Sequence, residues 1–291
     1  VKGELLWGEP MERHTTFRIG GPADRFFLPA GIQELRDFLR TCPEEEEILL
    51  VGGGSNLLVS DRGIRGTVIG MQGMKWIRYQ KNRVKAGAGV MLPALLRESA
   101  RRGLSGLECL AGIPGSVGGA VRMNAGTREG TVADSLDSIL VLHRSGSLSR
   151  VGREDLRFAY RGMILPEGAT IVGAEFSLKV DEPARIGEKI REGIRRRKAF
   201  QPLALPSAGS VFLNPPSDYA GRLIERAGMK GERIGDAQVS TVHANFIVNR
   251  GKARATDVLA LIRRVREEVE KRFGILLELE IKIVGEWDTP S

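Results

Sequence analysis

Cysteine is scarce: Cys42 and Cys109 are the only two in 291 residues, they lie far apart, and neither has metal-ligand spacing. Reduced thiols in a cytoplasmic protein are the expectation. Aromatic residues make up only 5% of the chain. None is interleaved in the densest basic cluster, Arg191, Arg195, Arg196, Arg197 and Lys198, and no nucleic-acid-binding motif accompanies it. The three histidines, His14, His143 and His243, have no metal-ligand partner at suitable spacing and form no nucleophilic triad. No apolar run approaches the length that spans a bilayer. The stretch Val1 to Pro10 carries acids and lacks the apolar stretch of a signal peptide. The chain opens on Val rather than Met, which leaves an upstream segment open.

What is present reads as globular. Hydrophobic residues are 42% and charged residues 27%, and the length suffices for two domains, each with its own core. The net charge of +8 suits either nucleic acid or an anionic small molecule. The Arg191–Lys198 cluster reads first as a solvated helix face and second as a contact for an anionic substrate.

Short β-like runs alternate with helices, without repeats. Ile48–Val51 runs into Gly52-Gly-Gly-Ser-Asn56, and Leu57–Val59 resumes strand character. Thr67–Ile69, Ser138–His143 and Thr170–Val180 are further expected strands. Leu92, Leu95, Leu96 and Ala100 recur at helical spacing, with Pro93 near the start and Gly103 at the end. Asp181-Glu-Pro183 marks a boundary, giving domains 1–183 and 184–291, the first divided near residue 80. From Thr256 to Phe273 an apolar stripe of Val258, Leu261, Ile262, Val265, Val269 and Phe273 predicts an amphipathic helix. Arg263/Glu267, Arg264/Glu268 and Glu267/Lys271 are spaced to pair on its outer face. Gly274 ends the helix, and Leu276–Val284 is expected as a closing strand.

Two glycine-rich stretches carry the functional signal. Gly52-Gly-Gly-Ser-Asn56 presents consecutive backbone N–H groups that could curl around a pyrophosphate. Strand character rather than a helix follows it, which excludes a dinucleotide fingerprint of the strand–loop–helix kind. By itself it is equally an ordinary tight turn. The second stretch, Gly112 to Gly126, is too rich in Gly and Pro for a helix or strand interior. Its Ile113, Val117, Ala120, Val121 and Met123 are too apolar for an exposed loop. A buried backbone of this composition must satisfy its polar groups somewhere, and a cofactor would do so. The Asn124 amide both donates and accepts, as a flavin ring edge requires.

Further segments join these in one order along the chain: Thr15-Thr-Phe-Arg-Ile-Gly-Gly21, Gly106 to Ala120, Asn124-Ala-Gly126, Tyr160-Arg161, Gln201-Pro-Leu203, Pro206-Ser-Ala-Gly-Ser210, His243 to Asn249 and Leu277-Glu-Leu-Glu280. Together they closely resemble the UDP-N-acetylenolpyruvoylglucosamine reductases over nearly the whole chain. The resemblance implies an α+β protein. Its FAD-binding domain is of the vanillyl-alcohol-oxidase type, with two subdomains, and a C-terminal α+β substrate-binding domain follows. It implies that NADPH supplies hydride, through FAD, to the enolpyruvyl ether of a UDP-sugar, giving UDP-N-acetylmuramic acid for peptidoglycan synthesis. Cell-wall biogenesis, cell shape and cell division follow as roles, in the cytoplasm. No nucleic-acid or membrane partner is implied, and no obligate protein partner can be inferred. The nearby loops hold only Cys109 and no His, so FAD is expected to bind non-covalently.

The resemblance assigns catalysis to Arg161, Ser210 and Glu280. Arg161 polarises the substrate carboxylate with its planar fork, Glu280 assists by hydrogen bonding, and Ser210 protonates the carbanion-like carbon. FAD is expected at Gly52, Gly53, Gly54, Ser55 and Asn56, and at Gly112, Ile113, Pro114, Gly115, Ser116, Gly118, Gly119, Asn124, Ala125 and Gly126. Substrate contacts are expected from Tyr160, Arg161, Asn214, Arg222, His243 and Asn245, with His243 open to a purely structural reading. Leu213 stands where relatives often carry a cation; Arg222 and Arg195–Lys198 are candidate replacements. Arg161 and Ser210 are only 49 positions apart (210 − 161), too few for the tyrosine-bearing loop of one subgroup, which points to the loop-lacking subgroup. An oxidase or dehydrogenase on the same FAD fold would not need the Arg161, Ser210 and Glu280 set. A nucleic-acid binder would leave the glycine stretches unexplained.

Overall fold

The computed structural model describes residues 2–166 and 168–287. The chain divides into two compact units: residues 1–6, 26–53 and 67–196, and residues 7–25, 54–66 and 197–291.

In the first unit, the β-branched and leucine-rich run Ile48–Val51 pairs in parallel with Thr67–Gly70. Helix α1 (Ile32–Thr41) covers this pair through buried Leu35 and Leu39, and Phe38 stacks on Phe27 with centroids 4.1 Å apart. A five-stranded antiparallel sheet forms the larger part, in the order 148–152, 136–142, 170–177, 83–87, 77–80. Alternation along its strands turns Val84, Ala86, Ile139, Val141, Ala174 and Phe176 into the core. The outer positions carry Arg83, Lys85 and Glu175.

Helix α2 (Leu92–Arg101) has Pro93 in its first turn and buries Leu92, Leu95 and Leu96 in the same core, as its periodicity predicts. Helix α3 (Val117–Arg122) contributes Val117, Ala120 and Val121. The basic helix α4 (Pro183–Phe200) packs through Ile186 and Ile190. The expected strand Thr170–Val180 is interrupted: Thr170–Ser177 belongs to the large sheet, whereas Lys179–Val180 pairs with Leu104–Ser105.

The second unit is built around α6 (Ala255–Phe273). Val258, Leu261, Ile262, Val265 and Val269 are fully buried against α5 (Ala220–Arg226), Phe17, Leu58 and Phe212. Gly274 closes α6 in the left-handed conformation, φ 66°. The other end of α6 is held from far along the chain. Asp61 accepts from the backbone N–H of Ala255 (2.7 Å) and Thr256 (2.9 Å), satisfying donors that have no partner inside the helix.

Two expectations for this unit need correction. The closing strand is only Lys282–Val284, parallel to Leu57–Val59, with one isolated bridge from Leu279 to Phe212. The residues before it meet irregular chain rather than a second strand, so no ladder extends to Leu276. Arg264 pairs with Glu232 (3.2 Å) rather than Glu268, which instead meets Arg272 (3.6 Å). Tertiary neighbours and the next turn compete with the i,i+4 partner for these long side chains.

Candidate active site

Within the first unit the two glycine-rich stretches meet. A Cβ on Gly53 would come within 2.7 Å of the Gly115 Cα, and one on Gly52 would collide with the Ser116 Oγ. Gly118 is equally tight, 2.8 Å from the Ala88 Cβ. Gly53 is therefore required by backbone packed on backbone, and Gly52 and Gly118 by the close Ser116 and Ala88 side chains. Gly119 differs: a Cβ there would have only the Ser116 Oγ, 3.6 Å away, for company, and the residue is exposed. The open side of this segment lies there.

The second stretch is not wholly irregular, as its composition had suggested. Val117–Arg122 forms a short helix, with the Ser116 hydroxyl accepting from the Gly119 N–H at 3.4 Å. Burial of Val117, Ala120 and Val121 outweighs the entropic cost of two helical glycines, of order 1 kcal/mol each. Ile113, Met123 and Ala125 are half-buried, whereas Pro114 faces solvent. Gly112 and Gly126 bound the segment, and Ala125 joins it to the core by donating to Ala120 and accepting from Val132, both at 2.8 Å.

Asn124 is buried and takes φ 44°, unusual for a residue with a side chain. Its Nδ2 donates to the Ala159 carbonyl at 3.3 Å. Its Oδ1 is enclosed and has no hydrogen-bond partner among the described residues. A buried acceptor without a donor costs about 1–3 kcal/mol. A ring N–H of a bound flavin would satisfy it, so the residues present fit the cofactor.

Ala159 leads into a two-residue turn, Tyr160-Arg161, between strands Arg157–Ala159 and Gly162–Ile164. Arg161 adopts φ 58° at this turn, and its guanidinium lies 5.1 Å from the centre of the exposed Tyr160 ring. Such backbone strain in a charged residue is more usual at a functional position than in a passive turn.

In the second unit, Ser210 forms a bridge with Phe246, and the Val211 carbonyl accepts from the Glu280 N–H at 2.8 Å. The chain segments bearing Ser210 and Glu280 are thus adjacent. Asn56 is tied to the same place: its Nδ2 donates to the Glu280 carbonyl (3.1 Å) and its own carbonyl accepts from Lys282 (2.9 Å). Gly54, ahead of Ser55 and Asn56, turns at φ 61° against the His14 carbonyl.

Asn245 uses both ends of its amide on Phe212, accepting from its N–H (3.0 Å) and donating to its carbonyl (2.8 Å). It fixes the irregular segment that follows Ser210. The Asn214 Oδ1 accepts from the Ala220 N–H (3.0 Å) at the start of α5. Arg222 pairs with Asp218 at 2.7 Å, which raises the guanidinium pKa and lowers that of the carboxyl. The His243 Nδ1 accepts from the Asn245 N–H at 3.2 Å, and the ring meets Phe246 edge-on at 5.0 Å. Burial holds the His243 pKa below its ordinary value.

The basic stretch of α4 is largely matched by acids: Arg191 by Glu188, Arg195 by Glu192 and Arg196 by Glu129. That arrangement is a solvated helix face. A cleft of about 510 Å³ on the outer side of the five-stranded sheet is lined by Lys81, Arg83, Lys85, Arg150 and Glu175, among others, and contains none of the residues expected at the site. Glu175, almost fully buried, is ringed there by Arg83, Lys85 and Arg150 at 3.3–3.7 Å. Among the described residues no cluster of three or more His, Cys, Asp or Glu side chains could hold a metal, and no helix is long and apolar enough to cross a membrane.

Sequence reasoning passed over Arg122 and Asp61. Arg122 reads as one more basic residue beside the glycines, yet its guanidinium donates to the Met163 carbonyl. Asp61 sits in an ordinary turn sequence, and its role appears only with the remote helix it caps. No local pattern announces either contact.

Known proteins match the chain over most of its length. Residues 23–152 match the FAD binding domain family, and residues 201–284 match the family described as UDP-N-acetylenolpyruvoylglucosamine reductase, C-terminal domain. A relative from Symbiobacterium thermophilum named UDP-N-acetylenolpyruvoylglucosamine reductase 2 is 47% identical over 287 residues, covering 97% of this chain and 93% of its own. The reductase of that name from Moorella thermoacetica is 45% identical over 288 residues, covering 98% and 95%. The crystal structure of UDP-N-acetylenolpyruvylglucosamine reductase from Thermus caldophilus superposes with a TM-score of 0.83 at 42% identity, covering 97% of this chain and 98% of that one. The chain belongs to the UDP-N-acetylenolpyruvoylglucosamine reductase family.

Proposed function

We propose that the protein is an FAD-containing, NADPH-dependent oxidoreductase. It reduces the enolpyruvyl ether of UDP-N-acetylenolpyruvoylglucosamine to the lactyl ether of UDP-N-acetylmuramic acid in peptidoglycan precursor synthesis. The observation that carries this reading is the match to reductases of that name at 45–47% identity over nearly the whole of both chains. Roles in cell-wall biogenesis, cell shape and division, and a cytoplasmic location, follow from the same reading. Along the sequence this reading assigns residues 1–183 to FAD binding and 184–291 to substrate binding, a division that the compact units cross at residues 7–25, 54–66 and 184–196.

FAD, when bound, supplies a two-electron carrier that takes hydride from NADPH and delivers it to carbon. The glycine-rich stretches Gly52–Asn56 and Gly112–Gly126 would hold it non-covalently, with the Asn124 Oδ1 accepting from the ring. Cys109 packs against the core with its thiol pushed up to about 11 by burial, which makes it a poor nucleophile for a covalent link.

The remaining chemistry belongs to the side chains. Hydride arriving at the terminal carbon of an enol ether builds negative charge on the adjacent carbon and its carboxylate. Arg161 binds that carboxylate through its two-pronged guanidinium and stabilises the charge where it develops. Glu280 assists by hydrogen bonding within the same polarising network. Ser210 then protonates the carbon. Its hydroxyl is a weak acid, but the carbanion-like centre is a strong base, so position matters more than acidity. Tyr160, Asn214, Arg222 and His243 are assigned to the substrate. Asn245 contributes by holding Phe212, and with it the Ser210 segment.

The test is direct. The purified protein should show flavin absorption, and NADPH oxidation should accelerate on adding UDP-N-acetylenolpyruvoylglucosamine. A flavoprotein that oxidises NADPH at the same rate with and without the sugar overturns the reading.

A further inference from the structure

Arg161 sits on a weakly supported element. Its hairpin has two strands of three residues each, Arg157–Ala159 and Gly162–Ile164, which among the described residues pair only with each other. A hairpin this short has little stability of its own. Met163 and Phe158 pack on the core, but the tip is open to solvent, with Tyr160 56% exposed. Arg161 further holds a left-handed backbone conformation that a non-glycine residue rarely adopts. Something must fix where this turn points.

Two side chains at the end of α3 do so. The Arg122 guanidinium donates to the Met163 carbonyl, on the strand after the turn. Asn124 donates from Nδ2 to the Ala159 carbonyl, on the strand before it. The Tyr160-Arg161 turn is therefore gripped on both flanks by residues two positions apart. Asn124 is among the residues assigned to FAD; Arg122, the last residue of α3, is not. Asn124 has a second task there through its Oδ1, whereas the Arg122 side chain makes no other hydrogen bond among the described residues than the one to the hairpin.

We propose that Arg122 is a positioning residue for Arg161. It references the turn that presents the substrate-polarising guanidinium to the helix lying in the cofactor segment, so that carboxylate and cofactor are held in one frame. The proposal rests on the functional reading of Arg161 above. A guanidinium suits the task because it offers several donors on a long stem, and a backbone carbonyl is an acceptor that no substitution can remove. Displacing a catalytic group by about 1 Å costs on the order of 10²-fold in rate.

The experiment separates the two half-reactions in Arg122→Ala, Arg122→Lys and wild type. Arg122→Ala is expected to retain FAD and to be reduced by NADPH at close to the wild-type rate. Its oxidation by the UDP-enolpyruvyl sugar should slow by about 10²-fold, with KM raised as well. Arg122→Lys, whose ammonium can reach the same carbonyl, should recover most of the loss. In an Arg161→Ala background, Arg122→Ala should cost little more. Amide exchange measured without FAD should speed up in residues 157–164 and stay unchanged in α6.

Equal loss in both half-reactions, an undiminished cost in the Arg161→Ala background, or unchanged exchange in the hairpin overturns the proposal. If Arg122→Ala fails to retain FAD, Arg122→Lys and Arg122→Gln decide, and equal activity of those two overturns it. A wild-type protein indifferent to the sugar would instead sink the functional reading, which is a separate outcome.

Discussion

Gly53 lies against Gly115, so close that a Cβ on the first would stand 2.7 Å from the Cα of the second. Within the first unit this contact joins Gly53 to the second glycine-rich stretch. Gly53→Ala should lower stability by about 1–3 kcal/mol, as overpacking against backbone does. Because the same segments are assigned to FAD, the variant should also purify with less flavin. Thermal unfolding and the ratio of flavin to protein absorbance check both effects.

Ser210→Ala addresses the proton transfer. NADPH should still bleach the flavin, while formation of the reduced sugar falls by roughly 10²–10⁴-fold. Product analysis after single turnover is the measurement, and normal turnover would remove Ser210 from its assigned role.

Asp61→Ala should weaken α6 from outside. The carboxylate accepts from Ala255 and Thr256 at the helix start, and loss of such a cap costs about 1–2 kcal/mol. For a chain of this size each kcal/mol shifts Tm by about 2–4 °C. Asp61→Asn, which keeps an acceptor oxygen, should recover part of the difference.

His243 gives the protein an acid-sensitive contribution. Its pKa is lowered chiefly by burial, then by the charge of Lys230, with the backbone and Glu225 opposing. The unfolded state therefore binds more protons than the folded state at pH values below the ordinary value of 6.5 and above the folded pKa. Stability should fall as pH drops through that window and level off beneath it. Chemical denaturation of His243→Gln across the same range should give a shallower slope than wild type.

Cys109 should resist alkylation in the folded protein. Its thiol is pushed up to about 11 by burial first and by the nearby charges of Asp134 and Glu108 next. At pH 8 roughly one thiol in a thousand is then ionised. Iodoacetamide labelling followed by mass spectrometry should find Cys109 unmodified until denaturant is added.

The amphipathic helices were the most legible elements. Leu92, Leu95 and Leu96 in α2 and the Val258–Val269 stripe in α6 are buried as their spacing predicts, because a helix has one period and must hide one face. The strand Ile48–Val51, the loop after it and the strand Leu57–Val59 were equally plain. Less legible was the helix Val117–Arg122. Two glycines argue against it locally, and only burial of its three apolar side chains supplies the compensation. Strand pairing at the C-terminus was over-read for a related reason. Leu276–Val284 has the composition of a strand, but a ladder needs a partner, and one exists only for Lys282–Val284.

Sequence by itself determined the class of protein: an α+β chain whose ordered motifs match one reductase family from Thr15 to Glu280. Motifs are local, and their residue types follow from chemistry that any fold of the family must perform. Tertiary structure decided what the two glycine-rich stretches do. Gly53 lets backbone pack on backbone, Gly52 and Gly118 make room for the Ser116 and Ala88 side chains, Gly119 is exposed, and the enclosed Asn124 Oδ1 has no partner among the described residues. It also decided the contacts of Asp61 and Arg122, whose partners lie 194 and 41 positions away. Contacts at such separations leave no periodicity in the chain, because they depend on where folding brings the partner rather than on the residues nearby.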